Sequence, residues 1–317
     1  MFDTLKQLLE PVAPSGCESA VADIIETLAA PYGTVTRDVL GNVLVHKAGT
    51  GKKILCAAHM DSTGFIVNYV GADGRACITA LGSLQAADVL AQRVRFTGGA
   101  TGIICAEAGT EMKDLTMDKL YVDTPGQRVR TGDVAVFSAD MEQAGSLVIA
   151  PYLGDRLGCA ILLETLRKCR SSSNDLYFSF TVQEEVGARG AGPAAFAVAP
   201  DLGIVVDVDT ADNIPGSGLQ PLETGKGPVL KYMDASTISD PAACRMIEET
   251  AAALGIPLQL RVSSCGTTDA GVIQTSYGGA PVTQLAIAVR HMHTPGEVAD
   301  LDDAAQCVQL LAAVLGS

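Results

Sequence analysis

The sequence predicts an α/β protein built on a doubly wound, mostly parallel sheet, with a small all-β module inserted into it. Two observations predict the sheet. Four apolar runs each end in a cluster of polar residues, and amphipathic helical patterns lie between or after them. A third predicts the insertion. From about residue 67 to 148 the apolar runs become short and alternating, and glycine-rich turns separate them.

Along the chain, residues 17–29 repeat apolar positions at Val21, Ile24, Ile25 and Leu28, the spacing of one helix face. Ile54-Leu55-Cys56-Ala57-Ala58 is a continuous apolar run, as expected of a strand buried on both faces, and it ends in His59-Met60-Asp61. Arg93-Val94-Arg95-Phe96, Gly102-Ile103-Ile104-Cys105 and Asp133-Val134-Ala135-Val136-Phe137 are the short runs of the module. Residues 157–169 read as a helix through Ile161, Leu162 and Leu166. The run Tyr177 to Val182 ends in Gln183-Glu184-Glu185, Ile204-Val205-Val206 ends in Asp207, and Val282 to Val289 ends in Arg290-His291-Met292-His293. Further helical patterns cover about 240–254 and 302–315. The expected organisation is one α/β domain from 1–66 and 149–317, interrupted by a β-rich module at 67–148.

Composition excludes several function classes. The chain has 317 residues and a formal net charge of −14, from 22 Lys+Arg against 36 Asp+Glu. Nucleic-acid binding needs clustered basic residues to displace counterions, and this chain has the opposite balance. A mean hydropathy of +0.27 and 18% charged residues exclude a disordered chain. The longest uncharged run, Ala270 to Val289, is broken by Gly278, Gly279 and Pro281, so no membrane span is expected. No apolar signal segment is read near Asp3, Lys6 and Glu10. Nine cysteines, an odd number without a CxxC pair, read as reduced thiols of a cytoplasmic protein.

In parallel α/β sheets, ligands bind beyond the carboxyl ends of the strands, where all four polar clusters fall. Adjacent carboxylates such as Glu184 and Glu185 repel each other unless a cation or proton intervenes. One can ligate a metal while the other acts as general base on water. His59, the Glu184-Glu185 pair, Asp207 and His293 supply the mixed imidazole and carboxylate donors that suit zinc, cobalt or manganese. Taken singly, each has a plain structural reading as a polar strand end or loop residue. Together they predict a hydrolytic metal site. His46, on a polar strand, reads as structural.

The order Pro14-Ser15-Gly16, Asp38-Val39-Leu40-Gly41-Asn42, Ala58-His59-Met60-Asp61, Gln183-Glu184-Glu185-Val186-Gly187-Ala188-Arg189-Gly190-Ala191, Asp207, Thr268-Asp269-Ala270 and His293-Thr294-Pro295-Gly296-Glu297 resembles the tetrahedral aminopeptidase family. That family includes bacterial glutamyl aminopeptidases and endoglucanase-M-like proteins. The resemblance covers nearly the whole chain and implies a zinc-exopeptidase-like fold. It implies that His59 and Asp207 hold one zinc or cobalt ion and Glu185 and His293 a second. Glu184 would then be the general base, and Asp61 would orient His59. The β-module would mediate self-association into dimers or dodecamers, and the substrates would be short peptides.

Two departures stand out. The family carries Asp-Asp-Arg or Asp-Asn-Arg after its module, with the first Asp bridging the metals. Here the segment is Leu153-Gly154-Asp155-Arg156, which places Gly154 at the bridging position. Asp155 could serve as a ligand only if the backbone rearranged, because adjacent extended residues face opposite sides. The second departure is Ser62, where the family has Glu. The expectation is therefore a metallo-aminopeptidase weakened by Gly154. The alternatives are an inactive homologue, serving as assembly subunit or peptide binder, and a deacylase of small amides.

Overall fold

In the computed structural model, which describes residues 1–169, 172–212 and 222–316, the chain folds as an α/β domain carrying a closed β-barrel. It begins with helices α1 (Phe2–Leu9) and α2 (Ser19–Ala29), then strands β1 (Thr34–Arg37), β2 (Val43–Lys47) and β3 (Lys53–His59). The barrel strands are β4 (Gly64–Val70), β5 (Ala76–Leu81), β6 (Arg93–Phe96), β7 (Thr101–Ala106), β8 (Leu120–Asp123) and β9 (Val134–Phe137), with the one-turn helix α3 (Ala86–Val89) between β5 and β6. Then come β10 (Glu142–Ala144), β11 (Leu147–Ala150), α4 (Leu153–Lys168), β12 (Asp175–Thr181), α5 (Ala191–Val198) and β13 (Leu202–Thr210). The chain ends with β14 (Val229–Met233), α6 (Pro241–Leu254), β15 (Gln259–Val262), α7 (Asp269–Thr275), β16 (Val282–Val289), β17 (Glu297–Asp300) and α8 (Leu301–Gly316).

Eight strands form the main sheet in the order β1-β2-β12-β3-β13-β16-β14-β15. The central four, β12, β3, β13 and β16, run parallel to one another. Their burial on both faces explains why they read as continuous apolar runs rather than alternating ones. One face packs under α1, α2, α4, α6 and α8, with Ile161, Leu166, Phe178, Leu285 and Leu311 in its core. The other face is covered by α5 and α7 through Ala191, Ala195, Ala270 and Ile273. Helix boundaries follow local chemistry. Asp240 caps α6 by accepting from the N–H groups of Ala242 and Ala243, Pro241 opens the helix, and Gly255 closes it at φ +65.

The barrel has its own core around Phe65, Ile78, Val94, Ile104 and Phe137. Tyr152 from the α/β domain inserts into that core, its ring stacked 5.8 Å from Phe137, and its hydroxyl accepts from the Phe137 N–H. The segment entering α4, with Gly154 and Asp155, is thereby fixed to the barrel. The module's strands extend from Gly64 to Phe137, so their edges differ from the expected 67 and 148. β10 and β11 instead form a three-stranded sheet with β17, beside the α/β domain. Hydrophobic alternation marks a strand but not the sheet it joins, which is why these edges were not legible. No helix among the described residues is long and apolar enough to cross a membrane.

Candidate metal centre and active site

The carboxyl ends of β3, β12, β13 and β16 converge on one cavity of about 340 Å³, lined by His59, Gly154, Glu184, Glu185, Asp207 and His293 among others. His59 is the last residue of β3. Asp207 lies within β13 rather than after it, paired in register with Ala286 of β16. Glu184 and Glu185 follow β12 in a tight loop, in which Gln183, Gly187 and Ala188 all have positive φ. His293, also at positive φ, follows β16.

The His59 Nε2 atom lies 3.9 Å from Asp207 Oδ1 and 3.8 Å from Glu184 Oε2. Across the cavity, His293 Nε2 lies 3.6 Å from Glu185 Oε1. His59, Asp155 and Asp207 each offer a donor atom, all within 4.8 Å of one another, and are the tightest set of three possible ligands among the described residues. Asp155, next to Gly154, thus lies beside the site. Its Oδ1 accepts from the Gly158 N–H at 2.8 Å and its Oδ2 from the His59 N–H at 3.3 Å.

Asp61 does not line the cavity. It is fully buried behind His59, with Oδ1 3.2 Å from the His59 Nδ1. Its carboxylate accepts from the Glu184 N–H at 2.9 Å, the Glu185 N–H at 3.1 Å and the Ser15 hydroxyl at 2.6 Å. One side chain therefore positions both the imidazole and the adjacent glutamates. Burial alone would raise the Asp61 pKa, but these donors and His59 hold it below the ordinary value.

The other carboxylates are pushed the opposite way. Burial, with Asp207, Asp269 and Glu185 nearby, raises Glu184 well above its usual range. Burial also raises Glu185 to about 8, and it raises Asp155 and Asp207. Burial opposes a charge on His59 too, but Asp61, Glu184 and Asp207 outweigh it and raise that pKa. Such a surplus of buried acceptors stabilises a cation, and imidazole nitrogen beside carboxylate oxygen is a donor set for a divalent transition metal. The donor set fits a divalent metal.

Several residues of this region have no individual function assigned from the sequence, although Asn42 and Glu297 lie in motifs that carry the resemblance. Glu297 is buried, accepts from the His293 N–H at 2.7 Å and the Gly154 N–H at 3.2 Å, and so ties two site segments together. Burial raises it to about 7. Asn42 donates to the Gly190 carbonyl and accepts from the Val182 N–H, locking the glutamate loop to the β1–β2 hairpin. Lys231 and Asp209 line the cavity wall, 3.3 Å apart, beside Arg261, which pairs with Asp212 at 2.9 Å. No spacing in the sequence singles out these wall residues, because β13, β14 and β15 bring them together from separate segments. His46 is structural, as expected. It pairs with Asp175 at 2.7 Å and stacks on Tyr177.

Residues 41–310 match the family model described as M42 glutamyl aminopeptidase. The chain belongs to the M42 aminopeptidase family. Membership makes it a peptidase of a metal-dependent family, in keeping with the donor set above. An Acetivibrio thermocellus protein is 38% identical over 98% of this chain and 97% of its own. The lysyl aminopeptidase of Pyrococcus furiosus is 32% identical over 99% of this chain and 96% of its own. Among solved structures, an aminopeptidase from the archaeon Desulfurococcus kamchatkensis superposes with a TM-score of 0.95 at 29% identity, covering 99% of this chain and 94% of that one. The Pyrococcus horikoshii TET1 peptidase, described as assembling into a tetrahedron or a large octahedral shell, superposes at 0.90 with 25% identity, over 99% of this chain and 98% of that one.

Proposed function

We propose that this M42 peptidase removes N-terminal residues from short peptides, with zinc or cobalt(II) as its divalent ion. The observation that carries the reading is the convergence of His59, Asp207, Glu184, Glu185 and His293 on one cavity, with Asp61 behind them. His59, Asp207, Glu185 and His293 are the metal donors in this reading, with Asp155 in reach. When bound, the ion supplies Lewis-acid polarisation of the scissile carbonyl and acidifies water. Glu184 is the general base. It takes the proton of the attacking water and passes it to the leaving amine, and its raised pKa suits a group that must both accept and return a proton. Asp61 acts as a positioning residue by orienting His59.

Gly154 lowers the expected turnover, because no carboxylate stands at the position that would bridge two ions. The same observation favours one other reading, a peptide-binding or assembly homologue without turnover. The relatives that form shells support self-association of this chain through its barrel, which exposes Tyr69 and Ile103. Its free cysteines support a reducing, cytoplasmic setting.

Glu184→Gln tests the peptidase reading. The variant should keep its metal and lose turnover by about 10²–10⁴-fold, because an amide is a far weaker base. Peptide hydrolysis that persists unchanged in Glu184→Gln rules out the assigned base. Metal-loaded wild type that binds peptides without cutting them favours the non-catalytic reading.

A further inference from the structure

The family resemblance puts the carboxylate shared by two ions at residue 154, and the surroundings of Gly154 are built without one. A Cβ placed on Gly154 would meet one neighbour within 4 Å, the Val208 Cγ2 at 2.8 Å. Real Cβ atoms do not approach that closely, so Val208 holds the space where a longer side chain would start. Both residues line the cavity beside His59 and Asp207. Replacing the glycine alone therefore does not open the position, because the valine must move as well.

The neighbouring carboxylate stands where it can complete a different centre. Asp155 is fully buried, and bonds to the Gly158 and His59 N–H groups fix its orientation. Each of its oxygens accepts one such bond and keeps a lone pair. One of them belongs to the set with His59 and Asp207, whose donors lie within 4.8 Å of one another. Donors on a tetrahedral zinc stand about 3.4 Å apart, so this set, in which His59 Nε2 and Asp207 Oδ1 are 3.9 Å apart, must draw in by up to about 1.4 Å to close on an ion. Three protein ligands with an open fourth position is the usual arrangement of a catalytic zinc. Glu185 and His293, 3.6 Å apart, have no third His, Cys, Asp or Glu donor in a comparably tight set among the described residues. A second ion there would have two protein ligands and no bridging anion to screen repulsion between cations roughly 4 Å apart.

We infer that the chain binds a single ion on His59, Asp155 and Asp207, that without a carboxylate at residue 154 no second ion is held on Glu185 and His293, and that Val208 would obstruct a carboxylate introduced there. The inference rests on the metallopeptidase reading for the nature of the site, while the number of ions and their ligands are its own content.

Metal content per chain, measured after loading with zinc and removing excess by gel filtration, tests it. Wild type should hold one ion. Asp155→Asn keeps an acceptor oxygen for Gly158, so its circular dichroism should match wild type. Its zinc affinity should fall more than about 100-fold, because even outer-shell partners are worth 10–100-fold. His59→Ala should also lose the ion, whereas His293→Ala should keep it. Gly154→Asp should stay at one ion, and Gly154→Asp combined with Val208→Ala should reach two. Two tightly held ions in wild type overturn the inference. So does an ion lost in His293→Ala but kept in His59→Ala. A second ion in Gly154→Asp with Val208 intact overturns the blocking role of the valine. Peptide hydrolysis is scored separately. One ion with no peptide cleavage sinks the peptidase reading and supports the single-ion site, while two ions with cleavage do the reverse.

Discussion

Asp61→Asn is the sharpest probe of how the site is held together. The wild-type carboxylate is fully buried and faces four groups: the Ser15 hydroxyl, the Glu184 and Glu185 N–H groups and the His59 Nδ1. The two oxygens divide these groups, with Glu184 N–H and His59 on Oδ1 and Ser15 and Glu185 N–H on Oδ2. An asparagine has one oxygen and one NH₂, so in either orientation one backbone N–H faces another donor. A buried donor without a partner costs about 1–3 kcal/mol, and each surviving bond loses roughly 1 kcal/mol of charge assistance. The sum is a destabilisation of about 3–5 kcal/mol. Ser15→Ala removes one bond to the charged group and should cost about 1.5–3 kcal/mol. Because Asp61 also orients His59, zinc affinity should fall about 10–100-fold in Asp61→Asn. Urea denaturation of the metal-free protein gives the first quantity and chelator competition gives the second. Stability within about 1 kcal/mol of wild type, together with unchanged zinc affinity, would refute the organising role of this carboxylate.

Two other outcomes follow from the packing and charge of the site. Asp269 is buried, accepts from the Thr181 hydroxyl at 2.5 Å, and is raised by burial to about 7 from an ordinary 3.8. A carboxyl raised on folding contributes stability below its unfolded pKa and loses it as pH rises through the folded value, so metal-free wild type should weaken between about pH 4 and 7. Asp269→Asn lacks this titration, and its stability relative to wild type should grow by an amount on the order of 2–4 kcal/mol over that window; a gap independent of pH contradicts the assignment. Gly190 has no room for a side chain, because an added Cβ would lie 2.3 Å from the Asn42 Oδ1 and 2.6 Å from the Val182 carbonyl. Gly190→Ala should cost about 1–3 kcal/mol in urea denaturation and loosen the Glu184–Glu185 loop, and a neutral substitution would show that the Asn42 lock is dispensable.

The legible and illegible parts of this protein divide on physical grounds. His59, Glu184 and His293 were readable because they follow apolar runs whose burial on both faces leaves no alternation, and parallel sheets place ligands beyond such runs. Asp207 was readable as a polar interruption, although β13 continues through it to Thr210, because pairing with β16 does not depend on side-chain polarity. The helices over 241–254 and 301–316 match their apolar periodicity closely. Contacts made at long range carried no signal of their own. Glu297 reaches Gly154, Ser15 reaches Asp61 and Tyr152 enters the barrel core, and each depends on how separate layers stack. The module's edges at Gly64 and Phe137 were hidden for the same reason, since β11 could be recognised as a strand but not as the partner of β17.

The most direct measurement compares one short peptide in two forms, with a free and with an acetylated N-terminus, after the protein has been loaded with zinc or cobalt(II) and freed of excess metal. The account predicts that mass spectrometry detects release of the first residue from the free peptide only, that chelation stops it, and that restoring the metal brings it back. No release from any free peptide by metal-loaded protein, or equal cleavage of the acetylated form, would contradict it.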